Sequence, residues 1–279
     1  MIVSRDNRLI TLCIVIFTLL LYGEICLSFL FVVHGNAYTG YEVYSGKDKI
    51  VYADSYSDMR KIVISSLSKH KESITISYPG IAKDFIEFKK NNFMDFYDRL
   101  SFDNGYYTGI LSGTCISINS SEETGIESVS LQFNYLTTKK QEKYISKKVK
   151  KIVKKYKGRS IYAKLKGAHD YLIATVNYDS SYYNPYYAFK KGKGICMSYA
   201  LAYQRILQEM KIPCIYVKGK NHAWNMVRLD GKWYGVDVTW DDSGHTYRYF
   251  LKGTIDFRGH KLPKSGSHRL IRKARFSYK

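Results

Sequence analysis

The chain has 279 residues, 45% of them hydrophobic, which is enough for one large domain or two modest ones and too apolar for a disordered polymer. Its formal charge of +20 implies attraction to polyanions, whether nucleic acid, anionic lipid or acidic wall polymer. The GxGxxG and GxxxxGK[ST] phosphate loops and the HExxH and CxxC metal motifs are absent, which removes support for a nucleotide enzyme or a zinc hydrolase, and no cofactor or metal is expected.

Arg5 and Arg8 precede an almost wholly apolar run from Leu9 to Val33, broken mainly by Tyr22-Gly23-Glu24. The run exceeds the roughly 20 residues that cross a bilayer, and no Lys or Arg follows until Lys47, so the charge bias predicts a membrane anchor with the body outside. A cleaved signal segment ending near Gly35-Asn36-Ala37 is the rival. Either places the body at the cell membrane or beyond it, at the cell envelope or secreted, where genomic nucleic acid is not an expected partner. Residues 1–35 form this segment, and Gly35 to Asp54 reads as a linker.

Next comes a small α+β module, residues 36–157. Tyr56 to His70 has helical period through Met59, Ile62, Val63 and Leu67, and Ile74 to Tyr78 alternates as a strand before Pro79-Gly80. Phe85 to Leu100 is helical by the same test, and Thr114 to Asn119 and Ser128 to Thr137 are strands around a polar loop. Lys139 to Lys157 predicts a helix with Ile145, Val149 and Ile152 inward and ten lysines against one acid, Glu142. That face is a solvated surface or a seat for an anionic cell-wall polymer.

Residues 158–279 hold the chemistry. A helix spans Ile161 to Thr175. Gly192 and Gly194 then punctuate a turn, and helical period begins at about Cys196. A cysteine at a helix start meets unpaired N–H groups and the positive end of the dipole, which favour the nucleophilic thiolate and can hold an oxyanion. In the apolar run Pro213 to Val217, Cys214 reads as a reduced, buried thiol. Downstream, Asn221 to Leu229 reads as a strand, Asp230-Gly231 as a two-residue hairpin turn, and Lys232 to Thr239 as the returning strand. Pairing Leu229 with Lys232 sets Asp237 opposite Trp224, so Asp237 is the diagonal neighbour of His222 on one face. The carboxylate can then orient the imidazole while the other ring nitrogen faces the thiol. A slip of one residue would separate the two. Trp224 and Trp240 are candidates for the walls of a substrate cleft or for core packing. Asp241-Asp242 reads as a solvated turn rather than a calcium site, and His169, His245 and His260 as structural or surface groups.

Gly194-Ile195-Cys196-Met197-Ser198-Tyr199-Ala200, then His222-Ala223-Trp224-Asn225, then Trp233 to Trp240 resemble, in order and spacing, the three core motifs of the transglutaminase-like superfamily. The resemblance runs from about Ala168 to His260. It implies a papain-like α+β fold, with the nucleophile at a helix N-terminus packed on an antiparallel sheet. It also implies Cys196 as nucleophile, His222 as general base and acid, Asp237 as the orienting carboxylate, and a protein or peptide amide as substrate. Where many relatives carry Gln after the nucleophile, this chain has Met197. The functional expectation is acyl transfer through a Cys196 thioester, by hydrolysis or by crosslinking. The alternative is a non-catalytic binding module for an anionic polymer with a relic triad.

Overall fold

In the computed structural model, the described residues are 11–17, 50–79, 94–120, 126–263 and 266–279. The chain divides into two compact units, one of residues 1–96 and 111–135 and the other of residues 97–110 and 136–279. The boundary read from sequence at 157/158 falls inside the second.

In the first unit, β1 (Thr11–Phe17), β2 (Val51–Tyr52), β3 (Ser73–Pro79), β4 (Leu111–Ser120) and β5 (Ile126–Tyr135) form one sheet in the order β1-β4-β5-β3-β2. The inward residues Ile74, Ile76, Ile116, Ile118, Val129 and Leu131 alternate with more open ones, the period-2 pattern of a strand with one buried face. Helix α1 (Tyr56–Ser68) starts at Ser55, whose hydroxyl accepts from the Asp58 amide, and buries Met59, Val63 and Leu67.

β1 corrects the transmembrane reading for the residues it covers. Thr11–Phe17 pairs antiparallel with β4, from Thr11 opposite Asn119 to Phe17 opposite Gly113. The run TLCIVIF is dense in β-branched residues, which suit a strand as well as apolar length suits a membrane helix. The remainder of the expected span, 9–10 and 18–33, lies outside the described residues. Among those described, no helix is long and apolar enough to cross a membrane. The expected linker also changes, because Val51–Tyr52 is a short strand parallel to β3. The helix expected over 85–100 is described only from Met94, as α2 (Met94–Gly109), which kinks at Asn104.

The second unit is built around α6 (Cys196–Glu209), whose residues from Met197 to Leu207 are all buried. Around it lie α3 (Lys139–Lys154), α4 (Ile161–Thr175), α5 (Pro185–Lys191) and the sheet β10-β9-β8, formed by Lys232–Val236, Ala223–Leu229 and Cys214–Lys218. Short strands β6 (Asn177–Tyr178) and β7 (Lys193–Gly194) pair ahead of α6, and α7 (Val238–Gly244) follows the sheet. Ile145, Val149 and Ile152 of α3 meet Leu165, Ala168 and Leu172 of α4 and Tyr199, Tyr203 and Ile206 of α6 in one core. Burial on this scale, at about 25 cal/mol per Å² of apolar surface, holds the sheet against the helix. The described architecture is mixed α+β.

Candidate active site

The site lies where the start of α6 meets the hairpin β9–β10. Gly194 is required there, because a Cβ at that position would collide with the Cβ of Ser198 in the first turn of α6, and the Ser198 hydroxyl in turn donates to Tyr182 O at 2.9 Å. Cys196 is the first residue of α6. The helix has Ile195 at its N-cap and no side-chain cap, so the amides of its first turn keep their hydrogen-bonding capacity. Asn225 on β9 ties the sheet to this helix by donating its side-chain amide to Ala200 O at 3.1 Å.

The hairpin register is the one read from the Asp-Gly turn. Lys232 pairs with Leu229 and Val236 with Asn225, with Asp230 and Gly231 both at positive φ. His222 stands just before β9 and Asp237 just after β10. The returning strand stops at Val236, however, and α7 begins at Val238 where the sequence suggested more strand. Asp237 is the reason. Its Oδ1 accepts from Thr239 N at 3.0 Å and Trp240 N at 3.1 Å, an N-cap that turns the chain into a helix.

The other oxygen of Asp237 faces the site. His222 Nε2 lies 2.6 Å from Oδ2, and the Cys196 thiol is near enough to act on the charge of the same imidazole. The structure therefore brings Cys196, His222 and Asp237 together in that order. Asp237 is 0% exposed. Burial works against its charge, but the bonds from His222 and His260 and the α7 amides hold its carboxyl below the usual carboxylate range. For His222, burial favours the neutral ring. The Asp237 bond and the Cys196 partner outweigh it and raise its pKa from 6.5 to about 9. Cys214 is different: burial alone pushes its thiol well up, which suits a packing role.

The tryptophans flank His222. Trp240 stacks on it with centroids 4.7 Å apart and planes at 16°, and the buried Trp224 lies 6.0 Å away at 25°. Asp241 is not the expected solvated turn. It is fully buried, with Oδ2 3.0 Å from His169 Nε2 and Oδ1 accepting from Tyr249 N and Thr246 Oγ1, and Asp242 accepts from Tyr199 OH at 2.7 Å. His169 has the structural role read for it, clamping α7 to α4. His245 ends α7 in the left-handed region.

Of the two roles expected for His260, structural or surface, the structure excludes the surface: its side chain is fully buried in the site, with Nε2 2.7 Å from Asp237 Oδ2. The only sequence signal was its place at the end of the family-like stretch. Donor atoms of His222, Asp237 and His260 lie within 4.8 Å of one another, a group of a size that holds a metal ion. Each is already hydrogen-bonded inside the trio, so the arrangement reads as a hydrogen-bonded cluster.

Residues 131–238 match the model of the Transglutaminase-like superfamily, a stretch that ends one residue beyond Asp237. No curated protein matches the chain. Among solved structures, the chain is similar to a TGase at 16% identity, covering 69% of this chain and 60% of that one, with a TM-score of 0.32. It is also similar to a protein from Cytophaga hutchinsonii named as a putative cysteine protease, at 16% identity over 46% of this chain and 58% of that one, with a TM-score of 0.29. The chain thus spans about 60% of the length of these two structures.

Proposed function

We propose, on the premise that the chain carries a transglutaminase-like domain, that it is a cysteine acyltransferase acting on protein or peptide amides. The observation that carries this is the 2.6 Å bond between His222 and Asp237, with Cys196 at an uncapped helix start beside the same imidazole. The thiolate attacks the amide carbonyl. The first-turn amides of α6 receive the oxyanion, and His222 passes its proton to the departing amine, leaving a Cys196 thioester. His222 then takes a proton from the acceptor that attacks the thioester. Water as acceptor gives hydrolysis, and an amine gives a crosslink.

The rival is a binding module. It rests on α3 and the turn after it, where nine lysines from Lys139 to Lys157 are exposed while Glu142 is engaged by Tyr106 and Thr137. An anionic polymer is the partner that such a face suits. One experiment separates the two readings. Iodoacetamide near pH 6 is expected to modify Cys196 well before Cys214, with preincubation by an activated acyl ester blocking it. Equal, slow modification of both would leave only the binding module.

We further propose that the protein works outside the cytoplasmic membrane. The support is Arg5 and Arg8 ahead of the apolar run to Val33. A reporter fused after Lys279 is expected to behave as exported, and cytoplasmic activity of the fusion would refute it.

A further inference from the structure

Two imidazoles converge on one carboxylate oxygen, and only one of them faces the sulfur. His222 Nε2 and His260 Nε2 lie 2.6 and 2.7 Å from Asp237 Oδ2. A neutral imidazole has one donor and one acceptor nitrogen, so the remaining contact of each ring bears on its role. In His260, Nδ1 sits 3.1 Å from Arg258 O, and a carbonyl oxygen can only accept. The other oxygen of Asp237 already receives two amides of α7, and the carboxylate is held ionised by its bonds. The shorter of the two contacts is the one to the ionised carboxylate, so Nε2 is the nitrogen placed to donate.

The surroundings fix this ring. It lies parallel to Phe257, with centroids 3.7 Å apart and planes at 8°, and against Trp240 at 4.3 Å, Trp224 at 4.9 Å and Tyr249 at 5.5 Å. Gly259, at φ 82°, admits the turn, and a Cβ there would strike the Trp240 ring. The ring is thus walled by aromatics, with one polar edge on a loop carbonyl and the other on Asp237. Among the described residues, the titratable groups against the pair of imidazoles are Cys196 from α6, Asp237 at the start of α7 and Tyr249 in the loop that follows.

We propose that His260 is a positioning residue of the acyl-transfer site, acting through Asp237: its donation to Oδ2 divides the hold of that oxygen between two rings. The inference rests on the acyl-transfer reading above. With the whole charge of Oδ2 to itself, His222 would be bound more strongly as imidazolium and would release its proton to a departing amine less readily. With the charge shared, His222 keeps its orientation and gives up the proton more easily.

The test follows the titration of the His222 ring by NMR in the wild-type protein and in two variants. His260→Phe keeps an aromatic ring between Phe257 and Trp240 but removes the donor, whereas His260→Gln returns an amide donor. In His260→Phe the His222 midpoint is expected to rise by roughly half a unit to one unit, the scale of one hydrogen bond to a carboxylate. In His260→Gln it should stay near the wild-type value. A change in packing alone would shift the melting temperature and leave the midpoint in place. An unmoved midpoint in the folded His260→Phe variant, or a fall, overturns the inference. Should that variant not fold, the wild-type ¹⁵N spectrum decides: a proton on His260 Nε2 at neutral pH is expected, and a bare nitrogen overturns it. Stoichiometric zinc that strips both Nε2 protons would also overturn it, by making the trio a metal site. Loss of preferential Cys196 alkylation refutes the acyl-transfer reading itself and is scored separately.

Discussion

Asp237→Asn is expected to slow acylation of Cys196 by an activated ester about 10–1000-fold, scaled down from the roughly ten-thousandfold loss known for a serine triad because a thiolate needs less help from a base. The substitution keeps a carbonyl oxygen able to accept from the Thr239 and Trp240 amides, so α7 keeps its cap. Where Oδ2 stood there would be an NH₂ group, a donor facing two Nε2–H donors. His222 then loses the bond that raises it to about 9, and its pKa should fall toward or below 6.5. The melting midpoint should drop modestly, at about 1.5–3 kcal/mol for a hydrogen bond to a charged group. The pH dependence is a second check. A raised His222 contributes stability that is fully present below 6.5 and is lost as pH climbs through about 9. The wild-type advantage over the variant should therefore shrink across that window. Unchanged acylation by a folded variant would remove Asp237 from the chemistry and leave a Cys–His pair.

His169→Ala is expected to destabilise the protein by about 3–5 kcal/mol, the range for stripping the partner from a buried charged group. That corresponds to a fall of roughly 10 °C in the melting midpoint, at about 2–4 °C per kcal/mol for a unit of this size. His169 and Asp241 are both 0% exposed, and the 3.0 Å bond between them joins α4 to α7. On the other ring nitrogen, Asp170 sits at 3.2 Å in a more open network with Lys166 and Tyr247. Removing the ring leaves the Asp241 carboxylate buried without its donor and opens a cavity between Tyr247 and Phe250, which pack on the imidazole at 5.3 and 4.9 Å. Asp170→Ala should cost far less, since that carboxylate is more than a third exposed. A thermal melt decides, and a midpoint within about one degree of wild type, well below the 2–4 °C that each kcal/mol would produce, would show that Asp241 finds another partner.

Much of the site could be read from the sequence because it rests on short-range rules. Asp230-Gly231 sets a two-residue turn, the turn sets the register, and the register sets His222 and Asp237 on one side. The start of α6 at Cys196 follows from Gly194 and the apolar period after it. Two features escaped because they rest on competition or on long range. Val236 to Trp240 alternates like a strand, but the Asp237 carboxylate captures two amides and starts a helix, a choice that periodicity does not register. His260 reaches the site from a loop 23 residues beyond Asp237, where no period or spacing rule points inward. The N-terminal run is a different case: apolarity alone does not separate a strand from a membrane helix, and over Thr11–Phe17 the backbone pairs with β4.

Asp237 starts a helix with one oxygen and orients His222 with the other. α7 has only seven residues, too few to persist without its surroundings. Fraying of those two turns would release Thr239 and Trp240 from Oδ1 and let the carboxylate swing away from both imidazoles. On the acyl-transfer reading, heat would then silence the protein before it unfolds it, because the orientation of His222 fails with α7 while the core around α6 remains packed. The gap between the temperature of inactivation and that of global melting measures how firmly α4 and His169 hold α7 down.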